Sequence, residues 1–123
     1  MTILGVAIAG ALGALARYGL GGFITSRIPS TFPWETFVIN VSGSLIIGVL
    51  FVIFTEKLMP HPALRASLMV GFVGAYTTFS TFSLETIRLV QDGSIALAAA
   101  NIFGSVGAGL VAVWLGIVLA RVM

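Results

Sequence analysis

The sequence has no cysteine and few charged residues, and both absences narrow its class. Without cysteine the chain can form neither disulfide bonds nor thiolate metal sites. Charged residues make up only 8% of the 123 residues and hydrophobic residues make up 59%, whereas soluble domains carry about 25% charged residues. The formal net charge of +2 is too small to indicate a nucleic-acid partner. These proportions predict an all-α membrane protein with no soluble domain.

Four apolar segments divide the chain, and breaker residues separate them. A bilayer-spanning helix needs about 20 apolar residues, so the chain has room for about four spans and little else. We place the spans at roughly 3–24, 37–55, 66–90 and 95–120, and we expect residues 1–123 to form a single transmembrane domain. The first segment lacks a basic leading region and a convincing cleavage site, which indicates a retained span and not a signal peptide. An even number of spans places both termini on one side.

The third segment contains a polar run at membrane depth. Five hydroxyls and two aromatic rings lie between Thr77 and Ser83, and Glu85 follows them. Polar groups in hydrocarbon are expensive and usually functional. The glycines and β-branched threonines around Gly74 also disfavour a continuous helix. We therefore predict a break near the middle of this helix, with the helix resuming near Phe79. Backbone carbonyls freed at such a break survive only in protein or beside water, and they often coordinate a cation.

Several of the polar and aromatic residues also have ordinary structural interpretations. Phe79 and Phe82 are spaced i and i+3, and composition alone favours simple packing for them. A buried Asn40 can join helices, but its amide also offers two N–H donors to an anion. The same two interpretations apply to Asn101 and Ser105 in the fourth span. The residue pattern alone leaves these alternatives open.

Positive charge is distributed almost evenly between the two sides of the predicted membrane domain. Three cationic residues lie on the side of the termini and two lie on the other: Lys57, Arg65 and Arg121 against Arg27 and Arg88. Arg17 lies inside the first span near the second side, where its long side chain can reach the interface. The positive-inside rule therefore gives almost no orientation. The chain either has a weak preference for one orientation, or inserts in both and pairs antiparallel.

Small residues recur at every fourth position in three of the predicted spans. The three stripes are Gly5, Ala9 and Gly13; Asn40, Ser44 and Gly48; and Gly104, Ala108 and Ala112. Such spacing lets helix backbones approach closely, since lipid offers no hydrophobic drive for helix association. Four short helices enclose little space, so a transport pathway would need a homo-oligomer.

Taken together, these motifs resemble the Fluc (CrcB) family of fluoride channels over essentially the whole chain. The resemblance is carried by Gly10–Gly13, Arg17–Tyr18, Trp34–Asn40, Gly71–Gly74 and the polar run with Glu85. It implies passive export of fluoride that relieves fluoride toxicity, by a multi-pass protein of the prokaryotic inner membrane. It also implies an antiparallel, dual-topology homodimer with two pores and a structural sodium ion. The expected partners are fluoride, the lipid bilayer and a second copy of the chain.

The resemblance also assigns roles to individual residues. Matches to the family's fluoride pathway are Asn40, Phe79, Phe82, Ser80, Thr81, Ser83, Glu85, Thr36 and Ser105. The two phenylalanines would face fluoride with their ring edges, which carry the positive end of the ring quadrupole. Arg17 matches the family's first-span arginine and is expected to have a structural role. Gly74 and Thr77 match the carbonyl ligands of the sodium ion.

The chain departs from the family pattern at two positions, where Glu35 and Ala75 replace glycine. A carboxylate near a pore mouth would repel an anion, within a screening length of about 10 Å at 0.1 M salt.

Two other functions stay open at this stage. One is a small multidrug-resistance-type, proton-coupled exporter, although the first span has no acidic residue. The other is a non-transporting membrane assembly subunit. No nucleophile–base pair or ligand cluster is present, so we do not predict an enzyme.

Overall fold

The computed structural model describes residues 1–123, and its regular secondary structure is entirely helical. Helix α1 is Thr2–Arg27, and α2 is Trp34–Lys57 with a final π-helical segment at Ile53–Lys57. Helix α3 covers residues 62–76 and combines Pro62–Ala66, the π-helical Ser67–Val73 and Gly74–Tyr76. Helix α4 is Phe79–Gln91, and α5 is Ile95–Val122.

The helix ends coincide with proline, glycine and capping residues. Pro33 precedes α2 directly. The ring Nδ1 of His61 accepts a hydrogen bond from the Ala63 amide at 3.1 Å and caps the start of α3. Pro62 takes the first position of that helix, where a missing N–H costs nothing. Gly93 has a φ of +80°, a conformation that glycine adopts readily, and it forms the turn between α4 and α5.

Helix α1 packs against α3 through its small residues. A Cβ atom at Gly13 would overlap the backbone carbonyl of Phe72, and one at Gly71 would lie 2.8 Å from the Val6 carbonyl oxygen. A Cβ at Gly5 would likewise collide with the side chain of Ser67. The first-span stripe is therefore a contact face at which two backbones approach closely, as its spacing predicted.

Helix α2 packs against α5 in the same way. A Cβ atom at Gly48 would overlap the Val113 carbonyl, and one at Gly116 would overlap the Leu45 carbonyl. The stripe predicted on α5 makes this contact only in its later part, because Gly104 has no neighbour within 4 Å. The face of α5 that carries Gly104 is therefore open within a single chain.

Three helices are long and apolar enough to cross a membrane, namely α1, α2 and α5. At 1.5 Å per residue they are about 39, 36 and 42 Å long, against a hydrocarbon core of about 30 Å. Their apolar windows are mostly uncovered, with 6%, 28% and 11% of the residues buried. These features describe a multi-pass membrane protein with large surfaces left for lipid or for another chain.

The segment predicted as the third span is interrupted, as its sequence indicated. Helix α3 ends at Tyr76, Thr77 and Thr78 have extended backbones with ψ of 159° and 114°, and α4 begins at Phe79. Neither α3 nor α4 alone is a candidate span. The interruption places the polar run at the start of a new helix, where unpaired backbone groups are concentrated.

Candidate functional site

Asn40 holds the break between α3 and α4 through two hydrogen bonds. Its Nδ2 donates to the Thr78 carbonyl at 2.9 Å, and its Oδ1 accepts from the Thr78 amide at 2.8 Å. Thr78 is 8% exposed, so without Asn40 its amide would be buried and unpaired, whereas its carbonyl, at the N-cap, keeps the first hydrogen bond of α4. One Nδ2 proton of Asn40 is left uncommitted by these bonds. Asn40 therefore has a structural role in fixing the Thr78 backbone, and one of its N–H donors remains available to a ligand.

The hydroxyls after the break divide into committed and free donors. Thr78 Oγ1 accepts from the Thr81 amide at 3.2 Å as an N-cap and donates to Thr81 Oγ1 at 2.9 Å. Ser83 donates to the Phe79 carbonyl at 2.9 Å. Thr81 accepts from Thr78 and donates to no protein group, so its own proton is free. Ser80 is exposed, at 3.5 Å from Thr78 Oγ1.

A small cleft brings together four of the predicted pathway residues. Its volume is about 120 Å³, and we call it the ring cleft; its lining residues are Asn40, Phe79, Phe82, Ser105 and Val106. The two phenylalanine rings lie 5.8 Å apart at an interplanar angle of 41°. The Phe79 side chain is 79% exposed within one chain. The cleft thus combines an amide donor, a hydroxyl and two aromatic rings around a single small space.

A larger open cavity lies on the other side of the break. Its volume is about 720 Å³, and its lining includes Arg17, Glu35, Thr36, Thr81 and Glu85. Thr36 is 4% exposed and donates to Glu85 Oε1 at 2.9 Å, so a hydroxyl of α2 holds this carboxylate of α4. The second carboxylate oxygen of Glu85 is buried and has no partner. Arg17 has no ionic partner, because the one salt bridge lies elsewhere in the chain.

The end of α3 fits the backbone ligands of a cation. The Thr78 amide bonds Asn40, and the Thr77 amide bonds the Val73 carbonyl, so the Gly74 carbonyl loses its helical partners. Gly74 is exposed, and with Thr77 it lines a groove of about 290 Å³. No group of three or more His, Cys, Asp or Glu side chains could hold a metal. The groups that fit a hard cation at this position are backbone oxygens, and the binding of sodium here stays a prediction.

The structure places most predicted site residues in these three spaces, but not all. Ser80 and Ser83 line none of the three, and the pathway role of every predicted residue stays a prediction. Three contributions were missed from the sequence. Thr78 caps α4, Tyr76 bonds Ser42 across helices at 2.8 Å, and Thr86 bonds the buried Asn101. Two sequence signals could have found them: the threonine at position 78, directly before the restart of the helix, and the i, i+4 pair of Asn101 and Ser105.

Comparison with known proteins gives a consistent picture. The model of the family described as "CrcB-like protein, Camphor Resistance (CrcB)" matches residues 4–117. A Solibacter usitatus protein named "Fluoride-specific ion channel FluC" is 50% identical over 121 residues, covering 98% of this chain and 99% of the relative. A relative of the same name from Magnetococcus marinus is 46% identical over 100% of this chain and 100% of its own length. Another from Geotalea uraniireducens is 43% identical over 99% of this chain and 98% of its own length. The chain therefore belongs to the CrcB family.

Proposed function

We propose that this chain forms a fluoride-selective channel that lets fluoride leave the cell passively and so relieves fluoride toxicity. The observation that carries the proposal is the ring cleft, where Asn40, Phe79, Phe82 and Ser105 meet beside the helix break. Membership of a family whose relatives are named fluoride-specific ion channels supports it. An ion channel is not an enzyme, in agreement with the absence of catalytic groups from the sequence.

The ring cleft and its neighbourhood supply the groups that fluoride needs. Fluoride is small and strongly hydrated, so a path through protein must replace its water with other donors. The remaining Nδ2 proton of Asn40 is one such donor, and ring edges of Phe79 and Phe82 add weak positive potential. The free hydroxyl of Thr81 lies on the side of the larger cavity. These groups are neutral, and neutral donors bind an anion weakly enough to release it.

The larger cavity would serve as the aqueous entrance to this path. Arg17 is the only cationic residue in its lining and has no ionic partner. Positive charge in a cleft raises the local concentration of anions. Glu85 opposes that effect, and the Thr36 hydroxyl holds one of its oxygens in place. Glu35 adds a second carboxylate that the family pattern lacks, and we expect it to weaken anion entry.

We propose that α3 and α4 together form the fourth crossing, and that two chains pair antiparallel in the inner membrane with two pores. The near balance of positive charge on the two sides permits insertion in both orientations. The uncovered helix faces, including the face of α5 at Gly104, leave room for a partner chain. A single thin bundle leaves the ring cleft open along Phe79, and a second chain would enclose it.

The residues that would hold a structural sodium ion are Gly74 and Thr77, through their carbonyl oxygens. Bound sodium would supply positive charge that satisfies carbonyls left unpaired at the end of α3. Two carbonyls from one chain are too few for a hard cation, so the pairing of two chains would complete the ligand set. Asn40 keeps these carbonyls in place indirectly, since it fixes the backbone of Thr78.

Ion flux from proteoliposomes tests the proposed function. Purified protein is reconstituted in vesicles loaded with potassium fluoride or potassium chloride, a potassium ionophore balances charge, and an ion-selective electrode follows efflux. We expect rapid fluoride efflux, negligible chloride efflux and no effect of a proton uncoupler. Flux that depends on a proton gradient would favour the proton-coupled exporter, and no fluoride flux would favour the assembly subunit. Either result would contradict the proposal.

A further inference from the structure

A buried polar network joins α4 to α5 behind the ring cleft. Asn101 is 1% exposed and Thr86 is 7% exposed. The Asn101 Nδ2 donates to Thr86 Oγ1 at 2.9 Å, and Thr86 Oγ1 donates to the Phe82 carbonyl at 2.8 Å. At the other end, Ser105 Oγ donates to Asn101 Oδ1 at 3.1 Å. The network thus begins and ends at lining residues of the ring cleft, although neither Asn101 nor Thr86 lines it.

The direction of every bond in this network is fixed by its chemistry. The Phe82 carbonyl can only accept, so Thr86 must donate its single proton to it. Thr86 can then only accept from Asn101, which requires the Asn101 nitrogen to face Thr86. The Asn101 oxygen consequently faces Ser105, and Ser105 must donate. The one proton of Ser105 is therefore committed to Asn101.

Helix α4 has few other anchors. It is 13 residues long, and its only buried residues are Thr86 and Leu89. Leu84 and Ile87 on the same helix are 52% and 54% exposed. In a membrane, helices gain no hydrophobic drive for packing against one another, so interhelical hydrogen bonds contribute to their placement. The bond between Asn101 and Thr86 is the one interhelical side-chain hydrogen bond between α4 and α5.

We propose that Asn101 is a positioning residue of the ion pathway. It fixes the Phe82 segment of α4 against α5 through Thr86, and it holds the Ser105 proton away from the ring cleft. Ser105 is then not a donor to the ion in this arrangement, and the donors of the cleft reduce to Asn40 and the ring edges. This inference rests on the proposed function, since its consequence is measured as fluoride flux.

Isosteric substitutions at both ends of the interhelical bond test the inference. The variants Thr86→Val, Thr86→Ser, Asn101→Leu and the double variant Thr86→Val with Asn101→Leu are reconstituted in proteoliposomes, and fluoride efflux is compared with wild type. The matched control is Thr55→Val, because the buried Thr55 hydroxyl has no hydrogen-bond partner and belongs to α2. Thermal unfolding in detergent is measured for each protein.

We expect Thr86→Val and Asn101→Leu each to reduce flux by about tenfold, because small misplacements of functional groups have effects of this size or larger. The double variant should lose no more flux than the more impaired of the two single variants, because both substitutions break the same interhelical bond between Asn101 and Thr86. Thr86→Ser keeps the hydroxyl and should retain flux, as should Thr55→Val. Thr86→Val should lower the melting temperature, because it leaves the buried Asn101 amide without its acceptor, whereas the double variant removes both partners and should recover stability without recovering flux.

Four results would overturn the inference while leaving the proposed function intact. The first is that Thr86→Val passes fluoride at the wild-type rate, and the second is that only Asn101→Leu loses flux. The third is that the flux losses of the two single variants multiply in the double variant. The fourth is that flux falls in proportion to the melting temperature through all variants, including Thr55→Val. A wild-type protein that passes no fluoride would instead refute the proposed function, and this inference with it.

Discussion

Replacing Asn40 with alanine should destabilise the protein as well as impair its function. The substitution removes both side-chain hydrogen bonds that the backbone of Thr78 makes across the break. Thr78 is 8% exposed and extended, so its amide gains no helical partner in exchange, whereas its carbonyl, at the N-cap of α4, keeps the first hydrogen bond of that helix. A buried polar group left unpaired costs about 1–3 kcal/mol, and we expect a loss of this size for the Thr78 amide.

Two measurements on the purified protein in detergent examine this expectation. Denaturant unfolding should show the lower free energy directly. Hydrogen exchange at the Thr78 amide should accelerate on the order of thirtyfold, because about 2 kcal/mol corresponds to that factor. Ser44→Ala is the matched control, since Ser44 is one turn along the same helix and donates only to the Asn40 carbonyl at 2.7 Å. We expect less than about 1 kcal/mol of change for that variant.

The reasoning would be refuted if Asn40→Ala unfolded within about 1 kcal/mol of wild type and its Thr78 amide exchanged at the wild-type rate. That outcome would mean that the break is held by other contacts, such as the bond between Tyr76 and Ser42. Asn40 would then be free to act on the ion with both of its N–H donors.

Two further predictions concern packing and the larger cavity. Gly13→Ala should lower the melting temperature, since its Cβ would overlap the Phe72 carbonyl. The control Gly19→Ala should not lower it, since a Cβ there would meet nothing within 4 Å. Equal melting temperatures for the two variants would show that α1 does not pack closely on α3. Thr36→Val should reduce fluoride efflux severalfold by releasing the Glu85 carboxylate, and Thr36→Ser should restore it; unchanged efflux in Thr36→Val would remove that bond from the mechanism.

The interruption of the third segment was predictable because its causes are local. Glycine and β-branched residues weaken the helix before Thr77, and a threonine at position 78 is a good N-cap for the helix that follows. Local residues therefore predict both the end of α3 and the start of α4 at Phe79. The first-span stripe was predictable for a similar reason, since close backbone packing requires small residues at regular spacing.

The contacts that define the site were not predictable, because they join residues far apart in the chain. Asn40 and Thr78 are separated by 38 positions, and Thr36 and Glu85 by 49. No periodicity indicates that an amide will pair with a particular peptide group on another helix. The sequence likewise could not show that Ser105 donates to Asn101, because that direction follows only from the complete network ending at Phe82.

The ring cleft at the helix break is the proposed path of the ion. Fluoride efflux from proteoliposomes containing Phe82→Ile tests it most directly, with Leu84→Ile on the exposed face of the same helix as the control. Isoleucine keeps an apolar side chain at position 82 and removes the ring edge. We predict that Phe82→Ile abolishes most of the efflux and Leu84→Ile retains it. Equal, undiminished efflux in both variants would contradict the account.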